Sequence, residues 1–343
     1  MACANRKKLE LVTPRVAKQI ERTIKEILLT FVAKEFKTVV RYPISTGGKR
    51  LRPALTVISC WSLGGRLNDV LYPAASLEIL HNWSLIEDDI IDSSILRRGK
   101  KTCWAEFGRS IAQCVGMDFA AATFQGLIKS KEPDKVVEIF ARTIKTLIDG
   151  QILDVLFERA GRRDEPYILK NRYQKIEKKD WKKMAGRKTA YLFQTCCEIG
   201  GVCARGSKKE IEALKKYGFN LGLAFQIKDD ILDMFGEEKK FGKKIGKDIE
   251  ERKGGNIVLL FALQELKGRD KERIWKIMEK KEISQQDKRK VLALIKKTDG
   301  LQKAFKFGNY FISRAKSGLK VLPQNKWTKK LQSLADFVIE REK

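Results

Sequence analysis

Apolar residues recur at the spacing i, i+3, i+4 along almost the whole chain, and no segment of useful length alternates with a period of two. Proline numbers 7 in 343 residues, well below the ~5% of an average protein, so few helices need be interrupted. Glycine pairs such as Gly47-Gly48 and Gly200-Gly201 separate the periodic segments. The pattern predicts one all-α domain over residues 1–343. Thr13-Pro14 predicts the start of a first helix that reaches about Ala33.

The charge balance indicates anionic partners. Lys and Arg number 71 against 43 Asp and Glu, a net charge of +28, which suits nucleic acid, a membrane surface or phosphorylated substrates. The 7 cysteines form no CxxC pair, which is typical of a reducing cytoplasm rather than of a disulfide framework or zinc site. The polar, basic start predicts no signal peptide, and no apolar run reaches the ~18–20 residues of a spanning helix. We therefore expect a cytoplasmic protein, and a peripheral membrane contact stays open.

Two acidic motifs carry the chemistry. Each reads DDxxD, one over Asp88–Asp92 and one over Asp229–Asp233, and both have apolar neighbours. On a helix the first and last carboxylates of such a motif share a face and repel each other unless a cation neutralises them. Mg²⁺ takes one or two protein carboxylates and completes its shell with water and phosphate oxygens. The motifs predict a Mg²⁺ site between facing helices; two solvated acidic faces are the alternative.

Basic residues follow glycine turns close to these motifs. GGKRLRP spans Gly47–Pro53, and Arg97-Arg98-Gly99 begins five residues after the first acidic motif, where we expect a helix end. Further basic or acidic positions are Lys188, Lys243, Asp248 and Lys253. Each cation alone is typical of a surface charge. Together, beside carboxylates that bind Mg²⁺, they predict a diphosphate ligand, because Arg offers paired hydrogen bonds and Lys a point charge.

Four motifs follow one another along the chain: GGKRLRP, DDIID…RRGKKT, KTAYLF and GLAFQIKDDILD…FGKKIGKD. Together they resemble the trans-isoprenyl diphosphate synthases across nearly the whole chain. The resemblance implies a bundle of long helices around a central active-site cavity. It implies Mg²⁺-dependent condensation of isopentenyl diphosphate with an allylic diphosphate, and a homodimer. Class I terpene cyclases share the first acidic motif but lack GGKRLRP, so they fit poorly.

The resemblance also implies roles for single residues. Magnesium ligands would be Asp88, Asp92 and Asp229, supported by Asp89, Asp230 and Asp233. Isopentenyl diphosphate would be bound by Lys49, Arg52, His81 and Arg98. The allylic diphosphate would contact Arg97, Lys188, Lys243 and Lys253. Thr189 and Gln226 would line the reacting centre, where Lys188 and Lys243 also act. For His81, a satisfied core histidine is the alternative.

In this family, bulk at the fourth and fifth positions before the first aspartate closes the channel for the growing tail. These positions are Ser84 and Trp83, with Leu80 deeper. One large aromatic residue at the fifth position resembles archaeal-type enzymes that stop at C20, so we expect geranylgeranyl diphosphate, with C15, C25 and longer products next. Ordinary core packing of Trp83 is the alternative.

Two positions depart from the family pattern. Glu87 stands where histidine is common, and residues 251–256 lack the usual glycine and threonine around Lys253, which puts the role of that lysine in question.

Two other kinds of protein compete with the enzyme. A non-catalytic partner subunit would keep the fold without turnover, but both acidic motifs and the expected catalytic lysines are intact. A basic nucleic-acid-binding protein would need cations clustered with a reading module, and the sequence contains no such module.

Overall fold

The computed structural model describes residues 11–236 and 245–341, and these are overwhelmingly helical. The α-helices are α1 Pro14–Leu29, α2 Lys37–Ser45, α3 Leu51–Ser62, α4 Leu67–Ile91, α5 Cys103–Phe107, α6 Arg109–Leu127, α7 Pro133–Leu156, α8 Pro166–Asn171, α9 Lys178–Ala185, α10 Tyr191–Cys203, α11 Lys208–Phe235, α12 Lys247–Glu250, α13 Ile257–Glu265, α14 Gly268–Met278, α15 Gln285–Lys296, α16 Gly300–Gly318 and α17 Lys326–Glu340. Short 3₁₀ helices cover Lys34–Phe36 and Leu319–Val321, and a π-helix covers Gly186–Ala190. The all-α prediction is confirmed.

The described residues form two compact units, each built from separate stretches of chain. Unit 1 contains residues 11–139, Cys196–Lys215 and Gly318–Phe337. Unit 2 contains Phe140–Thr195 and residues 216–236, 245–317 and 338–341. The organisation of residues 1–343 as a single domain stays a prediction.

Helix α1 begins at Pro14, as expected, but ends at Leu29 rather than near Ala33. Thr30 leaves the helical conformation, and Phe31 has a left-handed backbone (φ 64°) that cannot continue the hydrogen-bond ladder. The apolar periodicity of the sequence therefore runs past the true helix end.

Unit 1 is organised around α4, which is apolar on most sides and packs against α6, α3 and α1. Its C-terminal end carries the first acidic motif, with Asp92 as the C-cap. A two-stranded hairpin follows, Leu96–Arg97 paired antiparallel with Lys100–Lys101. Its turn residues, Arg98 and Gly99, both have positive φ (54° and 77°), as a two-residue type I′ turn requires. The expected helix end at this point is thus a hairpin turn.

In unit 2, the C-terminal half of α11 carries the second acidic motif. The π-helix lies against two glycines. A Cβ on Gly150 would stand 2.2 Å from the backbone nitrogen of Lys188, and one on Gly222 would stand 2.5 Å from Cα of Ala190. Glycine at both positions therefore lets α7 and α11 approach the backbone that carries Lys188 and Thr189.

Among the described residues, no helix is both long and apolar enough to cross a membrane. The cysteines at positions 60, 103, 114, 196, 197 and 203 are free thiols.

Candidate active site

The first acidic motif contains one buried and two half-buried carboxylates. Asp89 is buried and accepts hydrogen bonds from Arg97. Arg97 Nε lies 2.8 Å from Asp89 Oδ2, and Arg97 Nη2 lies 2.7 Å from Asp89 Oδ1. Asp88 and Asp92 are half-buried at the end of α4, one turn apart. Asp89 therefore anchors the hairpin to α4 through Arg97, and this contact gives it a supporting position.

The glycine turn before α3 and the hairpin turn meet in unit 1. The Arg98 guanidinium donates a hydrogen bond to the carbonyl oxygen of Gly47. A Cβ on Gly48 would stand 2.8 Å from Nη1 of both Arg50 and Arg98. Glycine at this point leaves room for two guanidinium groups, so the structure brings together the two basic runs that the sequence separates by about 45 residues of chain.

Arg50 is part of this cluster, although the family resemblance assigned it no ligand. It has a left-handed backbone (φ 49°) and binds Glu21 Oε1 at 2.5 Å and the buried Glu78 Oε1 at 3.1 Å. Burial raises the pKa of Glu78, and Arg50 opposes that rise. Arg50 thus holds the turn to α1 and α4, and its only sequence signal is its place in GGKRLRP.

His81 lies half-buried on α4, near the arginines of the same cluster. Burial, and then the positive charges of Arg52, Arg98 and Arg97, lower its pKa well below the usual value. The imidazole is therefore neutral at pH 7 and offers one donor and one acceptor. Lys49 is exposed and Arg52 is half-buried on the neighbouring turn. The group can bind an anion with several cations and one neutral donor.

In unit 2, a buried carboxylate joins two of the expected lysines. Asp154 Oδ2 lies 2.7 Å from Lys188 Nζ and 3.3 Å from Lys253 Nζ. Burial would raise the pKa of Asp154, but the two ammonium groups outweigh it and hold the pKa well below its usual range. Lys188 and Lys253 therefore lie together, and a cavity of about 90 Å³ adjoins them.

Asp154 itself was missed by sequence reasoning. It belongs to no motif, and an isolated carboxylate in the apolar stretch of α7 is the single signal that marks it.

The two residues expected at the reacting centre are hydrogen-bonded to each other. Thr189 Oγ1 donates to Gln226 Oε1 at 2.6 Å, and Gln226 Nε2 donates to Asp230 Oδ1 at 2.8 Å. Asp230 also accepts hydrogen bonds from the Trp181 indole and the Ile257 backbone N–H, each at 2.9 Å. This chain of bonds fixes the orientation of the Gln226 amide.

The carboxylates of the second motif occupy different environments. Asp230 and Asp233 are buried, and burial together with the nearby Asp248 raises both pKa values. Asp233 accepts a hydrogen bond from the Asp248 backbone N–H at 3.2 Å. The half-buried Asp229 is bound by Arg341, whose guanidinium lies 3.8 Å above the Phe225 ring. Arg341 was also missed, because nothing in its local sequence points to α11.

The donors suit a hard cation. In unit 1, Asp88 and Asp92 present carboxylate oxygens one turn apart on α4. In unit 2, Asp229 lies half-buried on α11. Two carboxylates are the usual protein contribution to a Mg²⁺ ion that also binds phosphate. Within residues 11–236 and 245–341, no three Asp, Glu, His or Cys side chains converge to hold a metal by themselves. The remaining expected residue, Lys243, lies outside the described residues.

The expected chain-length residues lie on α4. Leu80 is fully buried, whereas Trp83 and Ser84 are half-buried. Ser84 Oγ donates to the carbonyl oxygen of His81 at 2.8 Å, within its own helix. Trp83 faces α6 at Gly116, with its Cδ1 atom 3.7 Å from the place where a Cβ would stand.

Comparison with known proteins identifies the class. The profile of the polyprenyl synthetase family matches residues 33–295. The chain is 34% identical over 284 residues to the short chain isoprenyl diphosphate synthase of Methanocaldococcus jannaschii, covering 81% of this chain and 82% of that protein. It is 33% identical over 325 residues to the geranylgeranyl diphosphate synthase of Saccharolobus solfataricus, covering 91% and 93%.

A solved structure gives the same result for the fold. The crystal structure of polyprenyl synthase from Caulobacter crescentus, complexed with calcium and isoprenyl diphosphate, superposes with a TM-score of 0.86 at 29% identity, covering 96% of this chain and 95% of that one. The chain belongs to the polyprenyl synthetase family. It is a polyprenyl diphosphate synthase, a trans-prenyltransferase of isoprenoid biosynthesis, and its family implies isoprenyl diphosphate substrates. The resemblance seen in the sequence is confirmed.

Proposed function

We propose that this enzyme uses Mg²⁺ to condense isopentenyl diphosphate with an allylic diphosphate and stops mainly at C20 geranylgeranyl diphosphate. The observation that carries the length is Trp83, a large aromatic side chain five residues before Asp88 with the fully buried Leu80 below it. The relative from Saccharolobus solfataricus is named a geranylgeranyl diphosphate synthase, which supports this choice.

Asp88, Asp92 and Asp229 would hold the metal ions. Bound Mg²⁺ would neutralise charge on the diphosphate as it leaves. Asp89 supports the first motif by fixing Arg97, and Asp230 and Asp233 support the second through their buried hydrogen bonds.

Lys188 and Lys253 would bind the allylic diphosphate, with Arg97 and Lys243 as further cations. When the allylic C–O bond breaks, its electron pair leaves with the diphosphate, and these cations stabilise the new charge. The hydroxyl oxygen of Thr189 and the fixed amide oxygen of Gln226 would face the carbocation. The isopentenyl double bond attacks that cation, and the departing diphosphate takes the proton whose loss forms the new allylic double bond.

Lys49, Arg52, His81 and Arg98 would bind isopentenyl diphosphate. A neutral His81 donates one hydrogen bond without adding charge beside the arginines. The short link from Arg98 to Gly47 brings the hairpin and the glycine turn to the same anion.

Longer products are the second candidate, and Ser84 favours them. Ser84 lies one turn before Asp88 on the same face of α4. A small side chain there leaves space in line with the reacting end, whereas Trp83 lies on the neighbouring face.

We also propose a homodimer formed through α6. Its solvent face carries an uncharged stripe spaced three and four residues apart. The stripe consists of Cys114, Met117, Ala121, Phe124 and Ile128. Such spacing is that of helices that pair along a seam, and a second copy offers the same apolar stripe to cover it.

The test is an incubation of the purified protein with isopentenyl diphosphate, Mg²⁺ and, in separate reactions, C5, C10 and C15 allylic diphosphates. Products are read by mass spectrometry. We expect a discrete C20 prenyl diphosphate that is lost with EDTA and restored by added Mg²⁺. A C25 or longer product would favour the second candidate. Folded protein that makes no product from any primer would instead indicate a partner-dependent subunit.

A further inference from the structure

Trp83 and Glu87 lie one turn apart on α4 and both face α6 at Gly116. A Cβ on Gly116 would stand 2.3 Å from Glu87 Oε1 and 3.7 Å from Trp83 Cδ1. Residues four apart on a helix share a face, so the two side chains occupy one strip between these helices. Glycine at position 116 is what admits the Glu87 carboxyl group to the backbone of α6.

The two side chains also contact each other. An indole N–H donates a hydrogen bond and a carboxylate accepts one. The Trp83 side chain donates such a hydrogen bond to the Glu87 carboxyl group. The Glu87 carboxyl group is half-buried and lies beside the like charge of Asp88. Its favourable contact there is with the Trp83 indole.

We propose that Glu87 is a positioning residue for product length, which fixes the Trp83 indole in the strip between α4 and α6 and so sets where the growing tail stops. This rests on the proposed function, in which Trp83 limits the chain. Trp83 is half-buried, so an unanchored indole has space to change rotamer and open the channel without any loss of bulk.

The experiment measures product length by mass spectrometry for Glu87→Ala, Glu87→Gln and Trp83→Ala under the conditions above. Glu87→Ala removes the acceptor, and we expect a main product longer by at least one C5 unit. Glu87→Gln keeps an acceptor oxygen at the same reach and should retain the length of the unchanged enzyme. Retention of length by Gln shows that the acceptor oxygen, rather than the negative charge of Glu87, is what matters.

The double variant Glu87→Ala/Trp83→Ala should make products no longer than Trp83→Ala alone, because both changes remove the same obstruction. The matched control is Glu35→Ala, which removes an exposed glutamate on the 3₁₀ helix Lys34–Phe36 and should leave product length unchanged. If Glu87→Ala fails to fold, Gly116→Ala tests the same point, because its methyl group displaces the carboxyl group. We expect the same lengthening.

Three results would overturn the inference, and each locates the failure. If Trp83→Ala lengthens the product but Glu87→Ala does not, Glu87 has no positioning role and the proposed function stands. If Trp83→Ala leaves the product length unchanged, the tail stops elsewhere. Both the proposed chain-length role of Trp83 and this inference would then be wrong. Lengthening by Glu87→Gln equal to that by Glu87→Ala would also contradict an acceptor that anchors the indole.

Discussion

At the scale of single residues, Asp154 shows how one buried carboxylate can place two cations. Its Oδ2 atom lies within ion-pair distance of both Lys188 and Lys253. Without it, two ammonium groups would face each other with little water to separate them. We infer that Asp154 sets the spacing of the lysines that would bind the allylic diphosphate, although it carries the wrong charge to touch that ligand.

Asp154→Asn should therefore affect both stability and activity. Removing one partner of a buried ion pair costs about 3–5 kcal/mol, because the remaining charges stay buried. Misplaced binding groups can cost about 10²-fold in rate, so we expect kcat/KM for the allylic substrate to fall by about that factor. Urea unfolding and steady-state kinetics measure the two effects.

The control is Asp149→Asn, five residues earlier on α7. Asp149 pairs with Arg187 at 3.2 Å, but its side chain is 57% exposed, and exposed pairs contribute about 0–1 kcal/mol.

The pH dependence of stability gives a second check. The pKa of Asp154 is depressed in the folded protein. Asp154 therefore contributes its full stabilisation at pH values above its unfolded-state pKa of about 3.9, and this stabilisation is lost as the pH falls towards the folded-state pKa. Equal stability of Asp154→Asn and the unchanged protein at pH 7 would contradict this account.

At the scale of secondary structure elements, the π-helix Gly186–Ala190 decides where Lys188 and Thr189 lie. Its backbone approaches α7 so closely at Gly150 that a Cβ would stand 2.2 Å from one Lys188 backbone atom and 2.6 Å from another. Backbone atoms cannot rotate away as a flexible side chain can. The position of Lys188 and Thr189 therefore depends on a glycine on another helix.

Gly150→Ala should displace this π-helix. Overpacking of this kind costs about 1–3 kcal/mol, and the shift of Lys188 and Thr189 should lower kcat more than it raises KM for isopentenyl diphosphate. Thermal unfolding and initial-rate kinetics measure these effects. Gly318→Ala is the control. A Cβ on Gly318 would stand 3.6 Å from its nearest neighbour, the carbonyl oxygen of Ala213, and the φ of −65° at this position suits alanine. A Gly150→Ala protein with unchanged kinetics would show that the π-helix position does not matter.

Sequence periodicity predicted the helices well, because a buried apolar face recurs along the chain whatever the helix packs against. The spacing of Asp229 and Asp233 predicted that they share a helix, and both lie on α11. The hairpin at Leu96 escaped detection because strands of two residues show no alternation. Asp154 escaped for another reason, since its partners lie 34 and 99 residues away in the chain, and pairings of that kind arise only when the chain folds.

At the scale of the whole molecule, the proposed interactions with other molecules depend on net charge and on the apolar stripe of α6. A charge of +28 attracts diphosphates and raises their concentration near the protein. It also makes copies of the chain repel each other. Self-association therefore requires a surface without charge, and on unit 1 the exposed face of α6 is such a surface, with Met117 64% and Ile128 67% exposed.

Met117→Glu should dissociate the proposed homodimer. Met117 lies near the middle of the stripe, so the substitution brings two carboxylates together in an apolar contact, where unpaired charge is unfavourable. We expect a dimer mass for the unchanged protein and a monomer mass for the variant, by size-exclusion chromatography with light scattering. A reducing agent excludes disulfide-linked pairs through the exposed Cys114.

Phe36→Glu is the matched control for this prediction. Phe36 is 58% exposed and lies at the end of the 3₁₀ helix Lys34–Phe36 rather than on α6, so the same change in charge should leave the dimer intact. Because the first acidic motif is on α4, which packs against α6, loss of the dimer should also loosen the α4–α6 contact and broaden the product distribution. A Met117→Glu protein that stays dimeric would move the interface to another surface, and a monomeric unchanged protein would contradict the homodimer itself.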